Sequence, residues 1–219
     1  IRTPMNAIIG FSEVALDDGG VPEETRGHLQ VIHRSARSLL GLLNDILDTA
    51  KLEQGAMELE QRDFPIRQVC ADVLATMQIG ATRKGLGLTL HVDAAVPALH
   101  RGDPMRLQQI LLNLVGNAIK FTETGEVALA VSPLAPAGLR LAVSDTGPGL
   151  SAEQQARLFR RFEQADGART AARYGGSGLG LAISQELAAA MGGAIAVDST
   201  PGRGTCFVVE LRLASATIG

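Results

Sequence analysis

The chain has 219 residues, 46% of them apolar and 20% charged, a balance that can bury a core and excludes wholesale disorder. A formal net charge of −3, one Tyr and no Trp lack the basic excess and stacking surface that nucleic-acid binding demands, so nucleic acid is excluded as a partner. No uninterrupted apolar run of about 18 residues is present and the amino end carries no basic-then-apolar signal, so a cytoplasmic location is expected; any membrane anchor of the parent protein lies outside this stretch.

Met5, Ile8, Ile9, Ser12, Ala15 and Leu16 predict a short amphipathic helix, and the run from Asp17 to Glu24, DDGGVPEE, supplies a helix stop, a turn and an acidic helix start. From Glu24 to Glu53, Leu29, Ile32, Ala36, Leu39, Leu43, Ile46 and Ala50 recur at alternating steps of three and four, an a/d seam. The unit reads as an antiparallel helical hairpin over residues 1–54. Leu40, Leu42 and Leu47 lie off the seam. A lone hairpin cannot hide them all, so a homodimeric four-helix bundle is favoured over packing against the rest of the chain.

Composition shifts after Gly55, and a second domain is expected over 55–219. Its predicted order is a strand near 57–61, a helix near 65–80, a strand near 86–92 and a helix from Pro104 to Phe121. Strands near 126–132 and 139–144 follow, then a variable stretch, a helix from Gly178 to Met191, and strands near 194–198 and 205–212. Such a mixture indicates an α/β sandwich with a mixed sheet. Cys70 and Cys206 are far apart, without metal-ligand spacing, and read as small core residues. His28 and His33 flank the second-helix seam, His91 falls in a strand and His100 in a loop; each is read as structural or solvated.

The helix from Pro104 is apolar over most of its circumference, yet Arg106, Gln109, Asn113, Asn117 and Lys120 form one narrow stripe. A single Asn is more simply a solvated edge. Asn113, Asn117 and Lys120 in register favour a polar ligand carrying phosphate and metal, because unpaired buried amides cost a few kcal/mol. Asp145 ends a strand just before Gly147-Pro148-Gly149, where Pro then Gly suits a type II turn. Gly176, Gly178 and Gly180 precede a helix whose start favours anions. Gly202 and Gly204 read as a hairpin turn. Each signal alone is weak.

Their order and spacing together are specific. Asn113-Leu-Val-Gly-Asn117-Ala-Ile-Lys120-Phe-Thr resembles the N box, Asp145-Thr-Gly147-Pro-Gly149-Leu the first glycine box and Leu158-Phe159-Arg-Arg-Phe162-Glu163 the F box of the sensor histidine kinases. Gly175-Gly176-Ser177-Gly178-Leu179-Gly180-Leu181 resembles the second glycine box, with Pro201-Gly-Arg-Gly-Thr205 as a third. The opening run Ile1 to Val14, IRTPMNAIIGFSEV, is similar to the family H box (HisKA type) just after its phospho-accepting His. The resemblance spans essentially the whole chain.

It implies a Bergerat (GHKL) ATP-binding fold behind the dimerisation and phosphotransfer hairpin. ATP and Mg²⁺ are the implied cofactors, with Asp145 taking the adenine amino group, Thr205 assisting through water and Asn117 ligating the metal. Asn113 and Lys120 would lie by the phosphates, which Gly176, Ser177, Gly178, Leu179 and Gly180 would line; Gly147, Gly149, Phe159 and Phe162 complete the implied site. Residues 160–175 would form a lid. The γ-phosphoryl group would pass to a His upstream of Ile1 and then to an Asp of a response regulator receiver domain. Thr3 would orient water in the reverse, phosphatase reaction. Flanking sensor and receiver domains and a bacterial source fit the same resemblance. Two rivals stand beside it: a nucleotide-binding signalling scaffold, and a GHKL ATPase, which would need a Glu where Asn113 stands.

Overall fold

The computed structural model describes residues 1–55, 57–161 and 178–216. Contacts divide the chain into two compact units, Ile1–Met57 and Glu58–Gly219.

In the first unit α1 (Arg2–Asp17) and α2 (Glu23–Glu53) form an antiparallel hairpin. Three cross-helix contacts set its register. Arg2 donates to Asn44 Oδ1 at 2.7 Å, Ser12 Oγ and His33 Nδ1 lie 2.9 Å apart, and Arg26 caps the end of α1 through the Leu16 and Asp18 carbonyls. His33 is thus structural. Met5 and Ser12 are buried on α1. The α2 seam divides: Ala36 is buried and Leu29, Leu43 and Ala50 are half-buried, whereas Ile32, Leu39 and Ile46 are 47%, 51% and 54% exposed. Seven-residue spacing places these last three in one stripe.

The second unit begins with β1 (Arg62–Pro65), α3 (Ile66–Arg83), β2 (Gly87–Val92), β3 (Leu99–Gly102) and α4 (Pro104–Phe121). There follow β4 (Glu126–Pro133), β5 (Leu139–Asp145) and α5 (Ala152–Arg157), then α6 (Gly180–Ala190), β6 (Ala194–Thr200), β7 (Gly204–Leu211) and β8 (Ser215–Ala216). Five strands run β2-β4-β5-β7-β6. The β2–β4 pair is parallel and the others antiparallel, so the sheet is mixed, as expected. One face alternates Val127, Leu129 and Val131 with Leu139, Leu141 and Val143, then Phe207, Val209 and Leu211, all at most 5% exposed. Helix α4 packs against both α3 and α6, and all three lie on the sheet.

Two sequence expectations need correction. The strand placed near 57–61 lies instead at Arg62–Pro65, paired antiparallel with β3. The alternation of Met57, Leu59 and Gln61 has no sheet partner, and Phe64, 3% exposed, is the residue that anchors the strand. His100, read as a loop residue, sits in β3 between β1 and β8 and is 1% exposed. Burial pushes its pKa below the ordinary imidazole value, and its Nδ1 has no hydrogen-bond partner.

Candidate functional site

Helix α4 starts on Asp103, whose Oδ1 accepts the Arg106 N–H at 3.0 Å and whose Oδ2 accepts the Glu60 N–H at 3.1 Å. Pro104 follows in the first turn, where its missing N–H leaves no gap. Leu107, Ile110, Leu111, Leu114 and Val115 are fully buried. Burying each such side chain stabilises by about 1.5–3 kcal/mol, against less than about 1 kcal/mol of helix propensity lost at each Asn. Packing therefore holds the amides on a helix they would not choose.

Those amides are organised. Asn113 Nδ2 donates to Ser184 Oγ on α6 at 2.8 Å, and Asn117 Nδ2 points to Asn113 Oδ1 at 3.3 Å. That bond uses one of the two amide hydrogens of Asn117 and orients the group so that its oxygen can face a ligand. Gly180, first residue of α6, lies so close that a methyl there would sit 2.5 Å from Asn113 Oδ1. The second glycine box and the N box are thereby in contact. Lys120, one turn on, is half-buried with its Nζ 4.9 Å from the Phe121 ring centre, and burial lowers its pKa from the usual lysine value.

The carboxyl end of α4 is clamped. Lys84, just past α3, donates from one ammonium to the carbonyls of Ile119, Lys120 and Thr122 at 2.8, 2.6 and 3.1 Å. Thr122 is fully buried and its Oγ1 has no hydrogen-bond partner. A methyl on Gly147 would meet Asp145 Oδ1 at 2.8 Å, Thr122 Oγ1 at 3.2 Å and the Phe121 carbonyl oxygen at 3.6 Å. Three oxygens thus converge where α4 ends and the first glycine box begins. Asn117 is five residues, about 7.5 Å of helix, from Thr122.

Asp145 pairs with Val127 on one side and Thr205 on the other. Its Oδ1 accepts the Gly147 N–H at 2.8 Å. Burial raises its pKa above the usual carboxylate value, while backbone hydrogen bonds from Gly147 and Thr205 pull the other way. Gly149 has φ +70, the left-handed value a type II turn needs, and a methyl there would overlap the Thr200 carbonyl oxygen. The bend is pinned from outside: Leu150 N–H donates to Ser199 Oγ and Gly202 N–H to the Pro148 carbonyl.

The structure thus links Asn113, Asn117 and Gly180 in one chain of contacts and Asp145, Gly147 and Thr205 in another, with α4 running between them. Gly178 has φ +68 and Leu179 is 2% exposed at the start of α6. Phe159 packs edge-on against Phe207, ring centres 6.5 Å apart. Thr3 is exposed on α1, in the first unit. Phe162, Gly176 and Ser177 lie outside the described residues, as does the expected lid from residue 162 onward.

Sequence reasoning missed Ser184, Ser199, Thr122 and Lys84. Ser184 lies one turn after Gly180, a spacing that could have flagged it. Ser199 faces Thr205 across the β6–β7 hairpin, and counting back from the Gly202 turn would have paired them. Nothing local marks Lys84 or Thr122.

Known proteins resemble this chain over nearly its whole length. Residues 102–215 match the family model of the histidine kinase-, DNA gyrase B- and HSP90-like ATPases, and residues 1–55 that of the His Kinase A (phospho-acceptor) domain. The chain is 44% identical over 217 residues to the signal transduction histidine-protein kinase BarA of Escherichia coli (strain K12), covering 97% of this chain and 23% of BarA. It is 44% identical over 216 residues to the virulence sensor protein BvgS of Bordetella bronchiseptica, covering 97% of this chain and 17% of BvgS. It spans less than a quarter of either relative. Among solved structures, full-length ShkA in complex with AMPPNP matches with a TM-score of 0.83 and 37% identity, over 99% of this chain and 44% of ShkA. With an amide-lined helix set against two glycine boxes and both family models matched in order, the chain belongs to the sensor histidine kinases.

Proposed function

We propose that residues 55–219 bind Mg-ATP and that residues 1–54 form the dimeric hairpin carrying the phosphotransfer reaction, with the γ-phosphoryl group passing to a His upstream of Ile1 and then to an Asp of a response regulator receiver domain. The observation that carries this reading is the contact between Gly180 and Asn113, which joins a helix start able to receive anions to the polar stripe of α4. ShkA, similar over nearly the whole chain, was solved with AMPPNP.

In this reading Asp145 accepts the hydrogen of the base's exocyclic amine, and Thr205 supports it through water. Lys120 and the first turn of α6 face the phosphates. The residues present fit a magnesium ion: Asn117 offers an amide oxygen, and no cluster of three His, Cys, Asp or Glu exists among the described residues, so phosphate oxygens and water would complete its octahedron. Bound there, the ion would neutralise developing charge on the transferred group. Asn113 occupies the position where a hydrolytic relative needs a carboxylate base, so the water-activating route is weak and transfer to a positioned imidazole is favoured.

The exposed stripe of Ile32, Leu39 and Ile46 supports dimerisation through the hairpin, since a second copy would bury it. Thr3, exposed on α1, is assigned the orientation of water in the regulator phosphatase reaction. The decisive experiment is incorporation of label from γ-labelled ATP into a chain extended upstream of Ile1. Acid-labile label that is lost in Asn117→Ala, in a protein whose unfolding is unchanged, is the expected result; no label with intact folding refutes it.

A further inference from the structure

Ser199 has no place in the reading above, yet its hydroxyl touches three groups. A hydroxyl has one hydrogen to give and two lone pairs to receive. Ser199 Oγ accepts the Leu150 N–H at 2.8 Å and donates to the Gly204 carbonyl at 2.8 Å. Thr205 Oγ1 lies 3.0 Å away. With the Ser199 hydrogen spent on Gly204, only acceptance remains for that third contact, so Thr205 must be the donor.

We propose that Ser199 is a positioning residue that sets base specificity by fixing the hydrogen-bond polarity of Thr205: the threonine hydrogen points at Ser199, and its lone pairs are all it offers to a ligand. The proposal rests on the nucleotide reading. The Asp145 carboxylate, whose Oδ1 already receives the Gly147 N–H, is likewise an acceptor. Both side chains that face the base are then acceptors. A 6-aminopurine meets them with hydrogens of its own and of a bridging water. A 6-oxopurine places an acceptor against acceptors and finds no side-chain donor, the arrangement in which a buried polar group goes unpaired.

Removing the Ser199 hydroxyl frees the Thr205 hydrogen to turn toward the ligand. It also loosens the 147–150 bend by deleting the acceptor for Leu150. The two effects separate in a ratio. Loosening weakens every nucleotide alike, whereas the freed hydrogen helps only the oxo base.

The test is titration calorimetry of the 219-residue chain with Mg-ADP and Mg-IDP. In Ser199→Ala the ratio of the IDP to the ADP dissociation constant should fall about tenfold, the effect of one corrected hydrogen-bond mismatch; Ser199→Thr, which keeps the hydroxyl, should hold the unaltered ratio. Equal weakening of both nucleotides in Ser199→Ala overturns the proposal. Thr205→Val gives an independent arm should Ser199→Ala fold poorly. An acceptor-only Thr205 predicts that the ratio does not rise in that variant; a rise means Thr205 donates to the base and overturns the assignment. An unaltered chain that binds neither nucleotide overturns the nucleotide reading itself and this proposal with it.

Discussion

At Gly204 the backbone of β7 presses closely on the end of β5, and Gly204→Ala tests whether that approach is obligatory. The residue has φ +95, and a methyl would overlap the Asp145 carbonyl oxygen while lying 2.9 Å from its carbon and 3.2 Å from Thr146 Cα. All three obstacles are backbone atoms, so no side chain can rotate away and β5 must part from β7. The left-handed conformation costs a non-glycine residue about 1–2 kcal/mol, and overpacking adds about 1–3 kcal/mol. Gly202, two residues earlier in the same hairpin, has φ +79 but nothing within 4 Å of its would-be methyl, so Gly202→Ala carries only the conformational part. Urea and thermal unfolding of the catalytic unit should therefore rank Gly204→Ala about 1–3 kcal/mol below Gly202→Ala. At about 2–4 °C per kcal/mol for a unit of this size, the midpoints separate by several degrees. Nucleotide affinity should fall in Gly204→Ala alone, because Asp145 and Thr205 are the register pair beside the intrusion. Equal stability of the two variants would refute the argument from close approach.

Asp145→Asn should abolish ADP binding by calorimetry while leaving the free protein as stable or slightly more so. The carboxyl pKa is raised in the fold by burial, so the folded state holds the proton more tightly than the unfolded one. Its contribution to stability therefore declines as pH rises from the ordinary carboxylate value through the raised one, and the Asn variant should lack that decline. Nucleotide affinity runs the opposite way, falling as acid protonates Asp145. Lys84→Met leaves three carbonyls at the end of α4 without their shared donor and should cost about 1–3 kcal/mol in urea unfolding, with Lys84→Arg recovering part of it. The Cys70 thiol, buried and pushed up to about 12, should resist a thiol reagent at pH 8 until the unit unfolds; rapid modification of the native protein would contradict the packing described. Leu39→Lys, in the exposed stripe of α2, should shift the chain to monomer in sedimentation, because a charge there cannot be buried against a second copy.

Much of this was legible from local pattern. Seven-residue recurrence on α2 and the apolar circumference of α4 follow from side-chain periodicity alone, and Asn113, Asn117 and Lys120 share a stripe simply because a helix turns every 3.6 residues. The hairpin at 201–203 was readable because glycine is needed where φ turns positive. What periodicity could not supply was which strand finds a partner. Met57 to Gln61 alternates without pairing, while Leu99–Gly102, short and containing a histidine, becomes the middle of a three-stranded sheet between β1 and β8.

The amino-acid order by itself determined the long helices, the strands of the larger sheet, the polar stripe and the glycines at the bends, since each depends on residues within a turn or two of one another. Only the folded chain decided that Gly180 meets Asn113, that Lys84 holds the end of α4 from 35 to 38 residues away, and that Ser199 takes the hydrogen of Thr205. Those are contacts between surfaces brought together by burial, and the direction of a hydroxyl hydrogen depends on every acceptor around it.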